Sequence, residues 1–208
     1  MSKIQIKQLT SVRRDNILFQ DVNFDVNDGK LFQIDGINGS GKSTMLRICA
    51  GLTQASEGAV FWNDQDINTC RYLYQKEMTY IGHTNGVKDA LTACENISVM
   101  HALSGSKSKL DHRDVLDQIG LPDMEDVLLS KMSAGQKRRV GLTRLIINQS
   151  RLWLLDEPFT SLDTTGKAII EKLIVNHCQN DGLVIFATHQ AMDIEGYEVG
   201  HIHIGQNS

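Results

Sequence analysis

The rhythm of apolar and polar positions changes along this chain, and each change marks a different kind of element. Ile4 and Ile6 alternate with polar neighbours, as do Val22, Phe24 and Val26. Period-two alternation belongs to strands with one covered face, so 4–26 is predicted as antiparallel β structure. Between the two runs Arg13-Arg14-Asp15 is too polar for a core strand, and Asn27-Asp28-Gly29 reads as a turn. Leu31 to Asp35 (LFQID) is a short, mostly apolar strand. Met45, Leu46, Cys49 and Ala50 then recur at helical spacing and stop at Gly51. Ser56-Glu57-Gly58 turns into a strand, Ala59 to Trp62, ended by Asn63-Asp64, and Met78 to Ile81 is a further short strand stopping at Gly82-His83.

From about 84 to 150 the pattern becomes helical. Thr92-Ala93-Cys94-Glu95 is a capping box, in which the Thr92 hydroxyl and the Glu95 carboxylate satisfy amides at a helix start. Ile97, Met100 and His101 continue its stripe. Ser104 to Lys109 is a solvated break, and Val115, Leu116 and Ile119 predict a second helix ending at Gly120. A third begins near Ser133. Strand character returns at Leu152 to Leu155. Ile169, Ile170, Leu173 and Ile174 mark a helix, and Leu183 to Phe186 is a continuous apolar strand, as expected where helices cover both faces of a sheet. Val199 to Ile204 alternates like an edge strand. The expectation is a single domain over 1–208, with a core of 1–83 and 151–208 and an inserted helical subdomain at about 84–150.

Composition removes some partners. With 208 residues and a net charge of −4, the chain supports a substantial core and gives no support for a nucleic-acid partner. No apolar run approaches the ~18 residues of a membrane helix, so no direct membrane insertion is expected. The opening MSKIQIKQL reads as a strand, not a signal peptide. Cys49, Cys70, Cys94 and Cys178 are scattered without a Cys-x-x-Cys pair, which reads as reduced thiols.

The chemistry begins at Gly36-Ile37-Asn38-Gly39-Ser40-Gly41-Lys42-Ser43-Thr44, between a strand and a helix. A glycine, four residues, then Gly-Lys-Ser is the phosphate-cradling P-loop. A tight glycine-rich turn aims backbone amides at polyphosphate, and the helix that follows adds its positive end. Lys42 supplies a point charge to the β- and γ-phosphates, and the Ser43 hydroxyl is a magnesium ligand. Asp156 and Glu157 close the apolar strand Leu152-Trp153-Leu154-Leu155, where ligands of open α/β sheets gather. Asp156 is therefore a candidate magnesium ligand, directly or through water, and Glu157 a candidate general base. The fold class is α/β: a P-loop NTPase core with a mostly parallel sheet, an N-terminal antiparallel β subdomain and the helical insert.

Met132-Ser133-Ala134-Gly135-Gln136, followed by Lys137-Arg138-Arg139, narrows the class. Ser133 and Gln136 make another capping box, so the plainest reading is a well-started helix. The stretch also resembles the Leu-Ser-Gly-Gly-Gln signature of ABC-transporter ATPases. The family's other landmarks follow in order: Glu157-Pro158, then Ser161-Leu162-Asp163 resembling the D-loop, then Thr188-His189 resembling the switch histidine. The resemblance implies two subunits sandwiching two ATP molecules. The P-loop of one copy faces the signature of the other, so Ser133, Gly135 and Gln136 contact nucleotide in trans. It implies that His189 reaches the γ-phosphate and that Asp163 couples the two sites. Two positions depart from the family pattern. His83 stands where a glutamine is usual, and is either a magnesium- or water-linked gate that senses the membrane partner, a candidate metal contact beside Ser43 and Asp156, or a plain loop histidine. Arg13 stands where an adenine-stacking aromatic is usual; a guanidinium plane can stack as well.

Gly82-His83, Gly86-Val87-Lys88, Leu91-Thr92, the stretch 132–139 and Asp156-Glu157-Pro158-Phe159-Thr160 together resemble the ATP-binding subunits of the cytochrome c maturation system, the haem exporters. That implies an enzyme using ATP and Mg²⁺, peripheral at the cytoplasmic face of the bacterial inner membrane, partnered by a second copy and by integral subunits. The groove around His83 to His101 is the candidate docking surface. Still open are another ABC exporter moving a drug or lipid, and a soluble ABC ATPase acting on ribosomes or DNA. His201 and His203 share a strand face with Val199, which an edge strand tolerates without any metal or haem.

Overall fold

The computed structural model describes residues 1–14, 16–106, 109–189, 192–194 and 196–205. Asp15 of the polar loop, and Lys107 and Ser108 of the solvated break, lie outside the described residues. The chain divides into two compact units: Met1–Gly82 with Ser150–Pro158 and Val175–Ser208, and His83–Gln149 with Phe159–Ile174. The second unit takes in 159–174 as well as the inserted helices.

The first unit holds two sheets. In the antiparallel one, β1 (Lys3–Arg13) pairs with β2 (Asn16–Asn27), so the strand runs on through Arg13 with its last residues exposed. The register slips between Ile6 and Leu9, where Gln8 has φ 51°, and again between Leu9 and Ser11, opposite Asp21 at φ 49°, the left-handed kinks of bulged strands. The parallel sheet starts with β3 (Leu31–Asp35), from which the chain passes through the P-loop into α1 (Lys42–Cys49). β4 (Glu57–Trp62) returns to β1 and turns at Asn63 and Asp64, both left-handed, into β5 (Gln65–Asp66). Consecutive left-handed residues match the twist of a tight hairpin. The short helix α2 (Arg71–Glu77) buries Tyr74, whose hydroxyl donates to the Cys49 carbonyl at 2.6 Å.

β6 (Met78–Ile81), β7 (Leu152–Asp156), β8 (Leu183–Ala187) and β9 (Val199–His203) complete the second sheet in the order β6-β7-β8-β3-β9. Every pairing in it is parallel, and β9 is an edge as its alternation predicts. β7 and β8 are buried at every position, which is why they read as unbroken apolar runs. Because all strands point one way, the P-loop, Asp156 and the segment after β8 emerge at one end of the sheet. Ile34, Leu46, Leu154 and Ile185 lie in the core beneath them.

The second unit is helical. α3 (Ala93–Ser104) begins with the predicted capping box: Thr92 Oγ1 accepts from the Glu95 amide at 3.2 Å, and Glu95 Oε2 accepts from the Thr92 amide at 2.8 Å. α4 (His112–Gln118), α5 (Ala134–Leu142) and α6 (Arg144–Ile147) follow, and Ile97, Val115, Leu116, Val140 and Ile147 form their shared core. The basic run on α5 is spent on internal ties. Lys137 pairs with Asp89 at 3.0 Å, buried Arg138 reaches the Asn85 side chain at 3.3 Å, and Arg139 donates to the Gly120 carbonyl at 2.7 Å. These cations hold loops to a helix and form no exposed patch for a polyanion.

α7 (Thr164–Gln179) ends with a half-buried titratable group. His177 stacks on Trp153 at 3.7 Å between ring centroids, and its Nε2 donates to the Arg151 carbonyl at 3.0 Å. Burial pushes its pKa down to about 4 from 6.5. The unfolded chain therefore binds this proton more readily than the folded one, so the folded state keeps its full stability above pH 6.5 and loses it as pH falls toward 4. A loss of about 2 to 3 kcal/mol is expected across that window. Urea midpoints at pH 7.5 and pH 5 should differ in the native chain and converge in His177→Phe. An undiminished pH slope in that variant assigns the effect elsewhere.

Candidate functional site

The P-loop is shaped by close approaches that side chains would block. Gly36 has φ 152°, and a Cβ there would meet the Ile204 carbonyl oxygen at 2.3 Å and Ser40 Oγ at 2.5 Å. Gly41, at φ 102°, caps α1. No side chain caps that helix, and no acidic residue lies in its first turn, which leaves its positive end suited to an anion. Lys42 is buried, with Nζ donating to the carbonyls of Gly36 at 2.6 Å and Ile37 at 3.0 Å. The ammonium is therefore held inside the curl of the loop by neutral acceptors, and no carboxylate pairs with it among the described residues. Asn38 and Gly39 are exposed at the loop tip, and no atom lies within 4 Å of a Cβ built at Gly39.

The acidic pair meets this loop directly. Ser43 Oγ donates to Asp156 Oδ1 at 3.0 Å, with Asp156 buried at the end of β7. A hydroxyl and a carboxylate side by side form a hard-oxygen donor set that suits Mg²⁺. Glu157 has φ 50°, and its amide donates to the Ala187 carbonyl at 2.9 Å. This left-handed turn swings its carboxylate toward His189, whose Nδ1 lies 3.3 Å from both carboxylate oxygens. A carboxylate only accepts, so Nδ1 is the donor in this contact.

Arg13 lines a cavity of about 540 Å³ with Ser11, Thr44, Arg47 and Gln54. Its wall reaches from the end of β1 to the P-loop residues Ser43 and Thr44. Arg47 and Gln54 were not singled out by the sequence; the signal was an arginine in the last turn of the P-loop helix and a polar stretch just past it.

In the second unit the remaining predicted residues assemble around the start of α5. Ser133 and Gln136 make their reciprocal capping box, at 3.2 and 2.8 Å. A Cβ at Gly135 would lie 2.6 Å from the Ser161 carbonyl oxygen, so only glycine lets the signature helix touch the loop 161–163. Asp163 Oδ1 accepts from the Gly166 amide at 2.7 Å and starts α7. His83 is exposed, and its carbonyl accepts from Arg138 at 3.5 Å. Among the described residues no three His, Cys, Asp or Glu side chains converge on a metal position, so His83 joins no such cluster. His201 instead pairs with Asp35 at 3.1 Å.

The comparisons with known proteins agree with this geometry. Residues 19–160 match the family model described as ABC transporter. A curated relative from Aliivibrio fischeri, the cytochrome c biogenesis ATP-binding export protein CcmA, is 39% identical over 98% of this chain and 100% of its own length. The protein of the same name from Shewanella sp. strain MR-4 is 42% identical over 92% of this chain and 88% of its own. Among solved structures, a putative ABC transporter ATP-binding protein from Pyrococcus furiosus superposes with a TM-score of 0.82 at 20% identity, covering 97% of both chains. A dimeric post-hydrolysis ATP-binding cassette bound to ADP and Pi superposes with a TM-score of 0.77 at 22% identity, over 90% of this chain and 88% of that one.

Proposed function

The chain belongs to the ABC transporter family, and on that premise we propose that it is the ATP-hydrolysing subunit of a haem-export system serving cytochrome c maturation. The observation that carries the hydrolytic part is the pairing of Ser43 with Asp156 beside the pairing of Glu157 with His189. A module that only bound nucleotide would need the first pair and not the second. The haem-export part rests on likeness to the curated export proteins over nearly their whole length.

The chain's residues divide the work. P-loop amides and Lys42 hold the β- and γ-phosphates, with Lys42 exchanging its two loop carbonyls for phosphate oxygens. Arg13 stacks on the adenine from the wall of its cavity. Ser43 and Asp156 would hold Mg²⁺, which supplies charge neutralisation across the phosphates. Glu157 takes a proton from the attacking water while His189 keeps its carboxylate aimed. Ser133, Gly135 and Gln136 of a second copy close the site over the γ-phosphate, and Asp163 links the two sites.

Coupling to the membrane falls to the second unit. A groove of about 330 Å³ there is lined by Leu91, Val99, Met100 and Leu103, with Lys88 and Arg144 among its polar walls. Leu103 is 82% exposed, an apolar surface fit for an amphipathic helix of an integral subunit. Arg144 donates to the Asn85 carbonyl at 3.1 Å and Asn96 Oδ1 accepts from the Lys88 amide at 2.8 Å, so the strand of chain after His83 is tied to the groove. No helix among the described residues is long and apolar enough to cross a membrane. The test is copurification: the chain should partition with membranes only when its integral subunits are co-expressed, and those subunits should belong to haem export. Recovery with drug or lipid exporter subunits, or with ribosomes, overturns this assignment.

A further inference from the structure

Gln33 is a polar residue in a strand, Leu31–Asp35, that is otherwise made for the core, and it is fully buried. Its two amide atoms face opposite demands. Oε1 accepts from the backbone amide of Met192 at 3.0 Å, and Nε2 donates to Asp35 Oδ1. The other Asp35 oxygen accepts from His201 Nδ1 at 3.1 Å, and the Asp35 carbonyl accepts from the Ile204 amide at 2.8 Å. Of these two partners one is a donor and the other a carboxylate, so the side chain must accept at one atom and donate at the other. Glutamine does both, glutamate cannot donate when ionised, and leucine does neither.

The position of these contacts gives them a consequence. Thr188, immediately before His189, donates its amide to the Ile34 carbonyl at 3.4 Å. Met192, three residues after His189, is held by Gln33. Adjacent residues of β3 therefore grip the histidine segment on both sides, and Asp35 of the same network leads straight into Gly36 of the P-loop. Three residues of chain span at most about 11 Å, so the Met192 contact bounds how far His189 can swing. A buried amide that lost its partner would keep the desolvation penalty of an unpaired polar group, which makes the grip selective for one arrangement.

We propose that Gln33 is a positioning residue for His189, the inner link of a relay from His201 through Asp35 and Gln33 to the Met192 amide, tying the last strand to the histidine beside the general base. The proposal rests on the reading of His189 as part of the hydrolytic site. Its effect is on turnover and on the order of the segment after β8, with nucleotide binding left to the P-loop.

The test uses the full chain, with the integral subunits that copurify for turnover and the purified chain for amide exchange. Gln33→Leu should lower kcat about tenfold with nucleotide KM within about twofold, as a small misplacement of a catalytic group does. It should also speed exchange of the Met192 amide. In a His189→Ala background the same change should cost less than about twofold, because its effect on turnover runs through His189. His201→Ala, at the solvent end of the relay and unable to disturb the core, should also speed Met192 exchange, while Asp35→Asn, which keeps an acceptor for Gln33, should largely preserve protection. Additive losses in the double variant, or Met192 exchange unchanged in both Gln33→Leu and His201→Ala, overturn the relay. If His189→Ala itself turns over at the native rate, the hydrolytic reading of His189 fails instead, and Met192 exchange still decides whether the relay exists.

Discussion

Glu157→Gln is expected to leave ATP binding intact, to cut turnover about a thousandfold, within the range that loss of a general base produces, and to trap an ATP-bound dimer. The substitution isolates the base because it spares the geometry. His189 Nδ1 sits 3.3 Å from both carboxylate oxygens of Glu157, and a glutamine carbonyl can still accept from it. The left-handed backbone at Glu157 is held by the hydrogen bond its amide donates to the Ala187 carbonyl, which no side chain controls. Ser43 and Asp156 are untouched, so the phosphates and Mg²⁺ keep their ligands. What disappears is the basicity of the carboxylate, so no group takes the proton from water. With ATP held and not split, the two copies should stay closed, since shared contacts to the γ-phosphate are never released. Size-exclusion chromatography with ATP and Mg²⁺ should give a dimer for the variant and a monomer after nucleotide removal. A variant that hydrolyses at the native rate sinks the assignment of Glu157 as base.

Much of this site could be read from the sequence because its chemistry is local. The P-loop, the Asp156-Glu157 pair and the Ser133-to-Gln136 stretch are contiguous residues whose spacing already encodes a turn or a helix start. The capping boxes at Thr92 and Ser133 form because the partners are three residues apart and meet in any helix. Legibility ends where the reason for a residue lies in a distant partner. The helix Arg71–Glu77 buries one residue, Tyr74, against Cys49 and Trp62, so it has no periodic stripe to announce it. The kinks at Gln8 and Asp21 come from strand pairing, not from glycine. The basic run Lys137 to Arg139 has the composition of a surface patch and is consumed by Asp89, Asn85 and Gly120. Gln33 was visible only as one polar letter in LFQID; its meaning needed Met192 and His201, more than 150 positions away in the chain.

Lys42→Ala should weaken nucleotide binding itself, by about 2 to 5 kcal/mol, or upward of about thirtyfold in dissociation constant. The ammonium is buried with both of its loop contacts to neutral carbonyls, those of Gly36 and Ile37. Its full charge is thus available to a polyphosphate, in a place where screening by water is weak. The same two contacts warn of a second effect. Removing Nζ strips a donor from two carbonyls in a loop whose curvature already presses Gly36 against Ile204 and Ser40, so the loop can relax even without nucleotide. Thermal melts separate the two effects. In the absence of nucleotide a change in melting temperature reports the loop alone. The further rise on adding ATP reports binding, because a ligand at a hundred times its dissociation constant adds about 2.7 kcal/mol to stability. The variant should melt close to the native chain without ATP and gain almost nothing with it, and a titration with labelled ATP should show the same loss. If the ATP-induced rise survives in Lys42→Ala, the loop amides and the positive end of α1 hold the phosphates without the lysine, and Lys42 acts only after binding.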